Sequence, residues 1–165
     1  MSDGNVAKSV SGKVASWLVD RVLKILFSYV DPSVLSMYIE NGWSIVDAIQ
    51  MALNEDDGYI KSVSPDGYGD LAVHIRRALI WAVDAVMGII ETIVRRYGVD
   101  VLDKYMSADY VLNYLKNNRP ELYDIITSYG DEGVKWLAKQ LKELKMFFLG
   151  KAVWDPDRKR TVYLD

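Results

Sequence analysis

The segment from residue 70 to residue 97 constrains the fold more than any other part of the sequence. It reads DLAVHIRRALIWAVDAVMGIIETIVRRY and is apolar around most of a helical circumference. Its polar side chains form one narrow stripe, spaced three, four and seven residues apart: Asp70, His74, Arg77, Asp84, Glu91 and Arg95. Such a helix must be covered by other elements on most of its sides. The sequence therefore predicts a mainly α-helical protein with this helix at its centre.

Capping residues and helix breakers divide the rest of the chain into further helices. Residues 6–30 repeat apolar side chains at intervals of three and four, up to Asp31-Pro32. Asp31 is expected to cap a short helix that Gly42 ends, and Ser44 is expected to cap the next one. Later boundaries are predicted at these residues: Gly98, Ser107, Pro120, Gly130 and Asp131. We therefore predict a helical bundle over about residues 1–106, with more helices after it.

Residues 55–70, EDDGYIKSVSPDGYGD, combine turn-forming and acidic side chains. A calcium loop with Gly58 or Gly67 at its sixth position would end on Ser64 or Val73. Neither residue supplies the closing bidentate carboxylate that such a loop requires. The segment is therefore predicted to be a solvated loop without a metal.

The polar stripe of residues 70–97 holds the best catalytic candidates, and neither makes a complete site. His74 is the one histidine and Asp70 precedes it by one turn, but no nucleophile joins them. Asp84 and Glu91 would need metal ligands from another helix, and no Glu-x-x-His motif provides them. The chain also lacks cysteine and every common phosphate-binding, zinc-protease and hydrolase motif. We predict no enzyme activity, no cofactor and no metal, and a stripe that faces solvent or a partner subunit.

The last 16 residues, GKAVWDPDRKRTVYLD, have none of this helical spacing. Two apolar runs flank an Asp-Pro-Asp sequence, which favours a tight turn. Pro156 also has no N–H to donate to a strand ladder, so the strands are expected to end on either side of it. The tail is predicted to be a two-stranded β-hairpin that packs on the helix before it. Alternation along the second strand puts Val162 and Leu164 on one face and Thr161 and Tyr163 on the other.

Residues 107–165 resemble a winged helix-turn-helix domain, because three helices with a glycine-containing turn precede a hairpin. The third helix repeats apolar side chains at three and four: Val134, Leu137, Leu141, Leu144 and Phe148. The string VWDPDRKRTVYLD is similar to the wings of MarR-like regulators. The resemblance implies phosphate contacts by Lys135, Lys139 and Lys142, and a base-edge contact by Gln140. It also implies that Arg158, Lys159 and Arg160 contact the phosphate backbone of DNA from the wing, which is the predicted hairpin.

Charge is distributed in a way that suits an anionic partner for the C-terminal end, although surface charge also fluctuates by chance. Residues 1–132 hold 12 Lys/Arg against 19 Asp/Glu, whereas residues 133–165 hold 8 against 4. We predict a non-catalytic protein that binds duplex DNA, such as a transcriptional regulator, with residues 1–106 mediating self-association. The alternative is a small helical adaptor or subunit of a protein complex. The N-terminus lacks a signal-peptide pattern and charges interrupt the apolar runs, so a cytoplasmic protein without membrane contact is expected.

Overall fold

The structure, a computed structural model, describes the backbone of residues 3–164 and the side chains of residues 12–164. The described residues form nine helices and two strands: α1 (Asp3–Phe27), α2 (Pro32–Asn41), α3 (Ile45–Asn54), α4 (Asp57–Val63), α5 (Gly69–Tyr97), α6 (Asp100–Tyr105), α7 (Ala108–Asn118), α8 (Pro120–Ser128), α9 (Asp131–Phe148), β1 (Ala152–Asp155) and β2 (Arg160–Tyr163). The prediction of a mainly α-helical fold with a C-terminal hairpin is confirmed.

Three of the nine described helices begin at the capping residues that were predicted. The side chains of Asp31, Ser44 and Ser107 each accept a hydrogen bond from a backbone N–H two or three residues further on. These contacts satisfy donors that have no partner within the first turn of the helix. Pro32 and Pro120 occupy the first turns of α2 and α8, where a missing N–H costs nothing.

The helix α4 was not predicted, since its segment was expected to be a loop. The Asp56 side chain caps it by accepting a hydrogen bond from Tyr59 N, and Ile60 is the one buried side chain on it. The Arg76 guanidinium of α5 holds α4 in place: it pairs with Asp57 and donates from Nε to the backbone oxygen of Ala52 at 2.8 Å. A helix of two turns with one inward side chain has too little periodicity to be detected in the sequence.

One cluster of buried side chains connects the early and late helices. It extends from Val19 in α1 to Phe148 in α9 and includes the inward face of α5. The helix α5 packs on α1, α3, α4 and α6, which agrees with its predicted central place. The core thus crosses the boundary expected near residue 106, and the division of the chain into two regions stays a prediction.

The hairpin lies against two helices rather than one. In its register Val153 faces Val162, and Trp154 faces Thr161. Trp154 is buried and Thr161 and Tyr163 are partly buried, while Val162 and Leu164 are exposed, as the alternation predicts. The strand β1 contacts α9, but both strands also contact α3. The expectation that the hairpin packs on the preceding helix was therefore correct but incomplete.

Candidate nucleic-acid interface

The helix α9 carries the predicted DNA-binding lysines, and its apolar face determines their direction. Leu137, Leu141 and Leu144 are buried, and α9 packs on both α7 and α8. At the start of α9, a Cβ on Gly133 would lie 2.0 Å from the carbonyl oxygen of Ile126 in α8. The backbones of α8 and α9 therefore approach each other closely at this point, which restricts how α9 can lie on α8.

The three lysines are exposed on the opposite side of α9. Lys135, Lys139 and Lys142 follow each other at intervals of four and three residues, which places them on one helical face. Lys139 Nζ lies 4.0 Å from Glu143 Oε1, and 71% of its side chain is exposed. Lys135 and Lys142 form no ion pair with any acid in the described part of the chain. Their ammonium groups are accessible to an anionic ligand.

The hairpin turn exposes two arginines. The Asp155 carboxylate accepts hydrogen bonds from the backbone N–H groups of Asp157 (3.0 Å) and Arg158 (3.2 Å). Lys159 has a positive φ of 55° and its N–H donates to the backbone oxygen of Asp155 at 2.8 Å, which closes the turn. Arg158 and Arg160 project into solvent, and neither pairs with an acid among residues 12–164.

Lys159 was predicted to act with these arginines, but its side chain points back to the bundle. Its Nζ donates to Glu55 Oε1 at 2.6 Å and lies 4.5 Å from the centre of the Tyr59 ring. The indole Nε1 of Trp154 donates to the same Glu55 oxygen at 3.0 Å. The Glu55 side chain is only 11% exposed. The Lys159 ammonium is thus paired with an acid and connects the turn to the α3–α4 connection, which disfavours the predicted contact of Lys159 with phosphate.

Gln140 was predicted to reach a base edge, but the structure buries it to 1% exposure. Its Oε1 accepts a hydrogen bond at 2.8 Å from the N–H of Ile45, the first residue of α3. One turn earlier, Trp136 Nε1 donates to the backbone oxygen of Trp43 at 3.0 Å. The predicted exposure of Gln140 is wrong because α3 covers this side of α9, and no pattern within α9 indicates that contact.

We call this contact the α3 junction: Ser44, Asp47, Gln140, Glu143 and Thr161. Ser44 Oγ donates to Glu143 Oε2 at 2.8 Å, and Thr161 N donates to Asp47 Oδ1 at 2.8 Å. Burial and the nearby Glu143 carboxylate raise the pKa of the adjacent Tyr163, so its phenol stays protonated. The junction fixes α9 and the hairpin relative to each other through α3. No sequence pattern indicates this junction, since its acids resemble ordinary surface residues.

Acidification is expected to release the hairpin turn at Glu55. The hydrogen bond from Lys159 is the main cause that lowers the pKa of Glu55, and the hydrogen bond from Trp154 adds to it. The ion pair with Glu55 in turn raises the pKa of Lys159. A carboxyl group with a lowered folded-state pKa stabilises the fold above its unfolded pKa, and this contribution is lost as pH falls through the lowered value. The Trp154 indole N–H resonance should therefore move upfield over that acidic range in an NMR titration. Glu55→Gln should abolish the shift, and a flat wild-type titration would contradict the assignment.

The remaining candidates from the polar stripe of α5 do not form a site. His74 and Asp84 are both exposed. Within the described residues, no three His, Asp or Glu side chains are grouped as metal ligands. In the same part of the chain, no single helix is long and apolar enough to cross a membrane. The exposed lysines and arginines are left as the best-defined functional candidate.

Comparison with known proteins adds no relative to this description. No family model, curated protein sequence or solved structure matches the chain.

Proposed function

We propose that the protein binds duplex DNA through α9 and the hairpin turn. The observation that supports this proposal is that α9 and the hairpin turn, two consecutive elements, expose five cations while α3 contacts both elements. Four of the cations form no ion pair with a described acid, and the fifth, Lys139, has one long contact of 4.0 Å to Glu143: Lys135, Lys139, Lys142, Arg158 and Arg160. Lysine and arginine bind phosphate oxygens and release counterions from the duplex, which drives association. Because the α3 junction fixes both elements beforehand, little conformational entropy is lost on binding.

Phosphate contacts dominate this binding, and sequence preference is small. With Gln140 buried, the outward face of α9 is left with lysines and Ala138 in its middle, and Asp131 and Glu132 in its first turn. The two acids repel phosphate, so the middle of α9 approaches the duplex rather than its N-terminal end. The net charge of −7 on residues 1–132 restricts contact to this surface.

An adaptor function is the second candidate, and it is favoured by two exposed tryptophans. Trp17 of α1 is 57% exposed and Trp81 of α5 is 68% exposed. Large aromatic side chains are enriched at the centres of protein interfaces. This candidate requires no nucleic acid, so the DNA-binding experiment separates the two functions.

Removing the wing arginines is expected to weaken DNA binding about tenfold, because each phosphate contact contributes to counterion release. The test is an anisotropy titration of a labelled random duplex at low and moderate salt. Wild type is compared with the double variant Arg158→Ala/Arg160→Ala. The slope of log affinity against log salt should become shallower by roughly 2, one for each lost phosphate contact.

The double variant Arg95→Ala/Arg96→Ala is a matched control. Both of these arginines are exposed at the end of α5, and their removal changes net charge by the same amount. If the control variant binds DNA as tightly as wild type, the loss of affinity is due to the arginines of the hairpin turn and not to net charge. Equal losses in both variants would indicate non-specific attraction, and absence of binding at low salt would leave the adaptor function.

A further inference from the structure

The exposed side of α5 carries a charge order that is complementary to itself. Trp81 is 68% exposed, more than any other large apolar side chain in the described part of the chain. Arg77 lies one turn before Trp81 on the same stripe, and Asp84 lies one turn after it. The order is therefore cation, aromatic ring, anion along a single exposed helical face.

No described neighbour within the chain neutralises the charges of Arg77 and Asp84. Neither Arg77 nor Asp84 forms an ion pair with another described residue. Seven residues separate them, which is roughly 10 Å along the helix axis and too far for direct contact. Ala78 and Ala85 flank the stripe with small side chains. A second helix therefore has both room and charged groups to meet on this face.

We propose that α5 is a self-association surface on which a second copy of this chain packs with its own α5 antiparallel. A two-fold axis at Trp81 brings this ring against the partner subunit's Trp81. The same axis places Arg77 opposite the partner subunit's Asp84, and Asp84 opposite the partner subunit's Arg77. The helix register that aligns the two Trp81 rings differs by one residue from the register that aligns the ion pairs. This is about 1.5 Å along the helix axis, which flexible side chains accommodate.

Gly88 is a second observation that favours this packing. It is exposed in the interior of α5, two turns after Trp81, and a Cβ there would meet no atom within 4 Å. No contact among the described residues of one chain explains a glycine at this position, where it weakens the helix. In the antiparallel pair, the bare backbone at Gly88 faces the partner subunit's His74 and gives the imidazole ring space.

The charge order selects a copy of the same chain over other occupants of this face. A two-fold interface satisfies each charge twice with a single patch, whereas a parallel copy would bring like charges together. The same register sets Asp70, three turns from the axis, opposite the partner subunit's Glu91, and the Lys61 ammonium 3.2 Å from Asp70 offsets the repulsion between these two acids. The inference is independent of DNA binding, since none of these residues belongs to the proposed interface.

Charge reversal tests the proposal by sedimentation velocity over a range of protein concentrations. Wild type should form dimers as concentration rises. Arg77→Asp and Asp84→Arg should each weaken dimerisation at least tenfold, because each single change brings like charges together. An equimolar mixture of the two variants should associate again, since every facing pair then joins opposite charges. The double variant Arg77→Asp/Asp84→Arg should also associate.

Trp81→Ala should weaken dimerisation by a similar factor, and Trp17→Ala, at another exposed tryptophan, should leave it unchanged. Circular dichroism of each variant establishes that the single changes leave the fold intact. A wild type that stays monomeric at every concentration would overturn the proposal. So would single variants that associate like wild type, or folded single variants whose mixture stays monomeric.

Discussion

Gly133→Ala is expected to lower the free energy of unfolding by about 3 kcal/mol, because the added methyl group has no space. Its Cβ would lie 2.0 Å from the carbonyl oxygen of Ile126 and 3.1 Å from the Cβ of Tyr129. Both neighbours belong to the end of α8 and the turn after it, so relief requires moving backbone rather than rotating a side chain. Urea denaturation followed by far-ultraviolet circular dichroism measures the change, seen as a lower transition midpoint.

Gly88→Ala is the matched control, since it makes the same substitution in the interior of another helix. A Cβ at Gly88 meets nothing within 4 Å. Alanine there should raise the free energy of unfolding by about 0.5–1 kcal/mol, because glycine loses more backbone entropy on folding. The measurement is made at a concentration where the protein is monomeric. A Gly133→Ala variant as stable as wild type would show that α8 and α9 are not in close backbone contact.

The turn between α8 and α9 shows how far local sequence signals extend. Gly130 was predicted to end α8, and Asp131 was predicted to cap α9. In the structure α9 begins at Asp131, and Gly130 occupies the capping position with φ 62° and no side-chain cap. The glycine that close packing requires is Gly133 in the first turn of α9, which local rules treat as a weak helix residue. Its role arises from the approach of a second helix, which the sequence of the turn does not encode.

Helix positions were predictable because their determinants are local. A capping side chain and its backbone partner lie two or three residues apart, as at Asp31, Ser44 and Ser107. The apolar spacing of α5 likewise lies within one segment, and it predicted the polar stripe that contains His74 and Asp84, both of which are exposed in the structure. The helix α4 was not predicted because Ile60 is the one buried side chain on it.

The interface was predicted in part for the same reason. Exposure of Lys135, Lys139 and Lys142 follows from the period of α9, and their binding role stays a prediction. Gln140 and Lys159 were assigned to the interface but make contacts with residues 95 and 104 positions away in the chain. Contacts between segments so far apart depend on how α3 packs, and no spacing within α9 or the hairpin reveals them.

Gln140→Met is expected to lower the free energy of unfolding by about 1–3 kcal/mol without changing DNA sequence preference. Methionine is close to glutamine in volume and fills the same space, but it offers no comparable acceptor to the N–H of Ile45 at the start of α3. The N–H of Ile45 then has no hydrogen-bond partner on α9, and this lowers the free energy of unfolding. Urea denaturation measures stability, and anisotropy with duplexes of different sequence, under conditions where the variant is folded, measures preference.

Lys139→Ala, at the neighbouring position, should have the opposite effects: little change in stability, and weaker DNA binding. The Lys139 side chain is 71% exposed, and its one ion pair among the described residues is with Glu143 at 4.0 Å, so the free energy of unfolding should change by less than about 0.5 kcal/mol. Its removal should instead weaken DNA binding equally for all sequences, since a phosphate contact carries no base information. Changed sequence preference in Gln140→Met would mean that this side chain leaves the core to meet DNA, and that the α3 junction opens on binding.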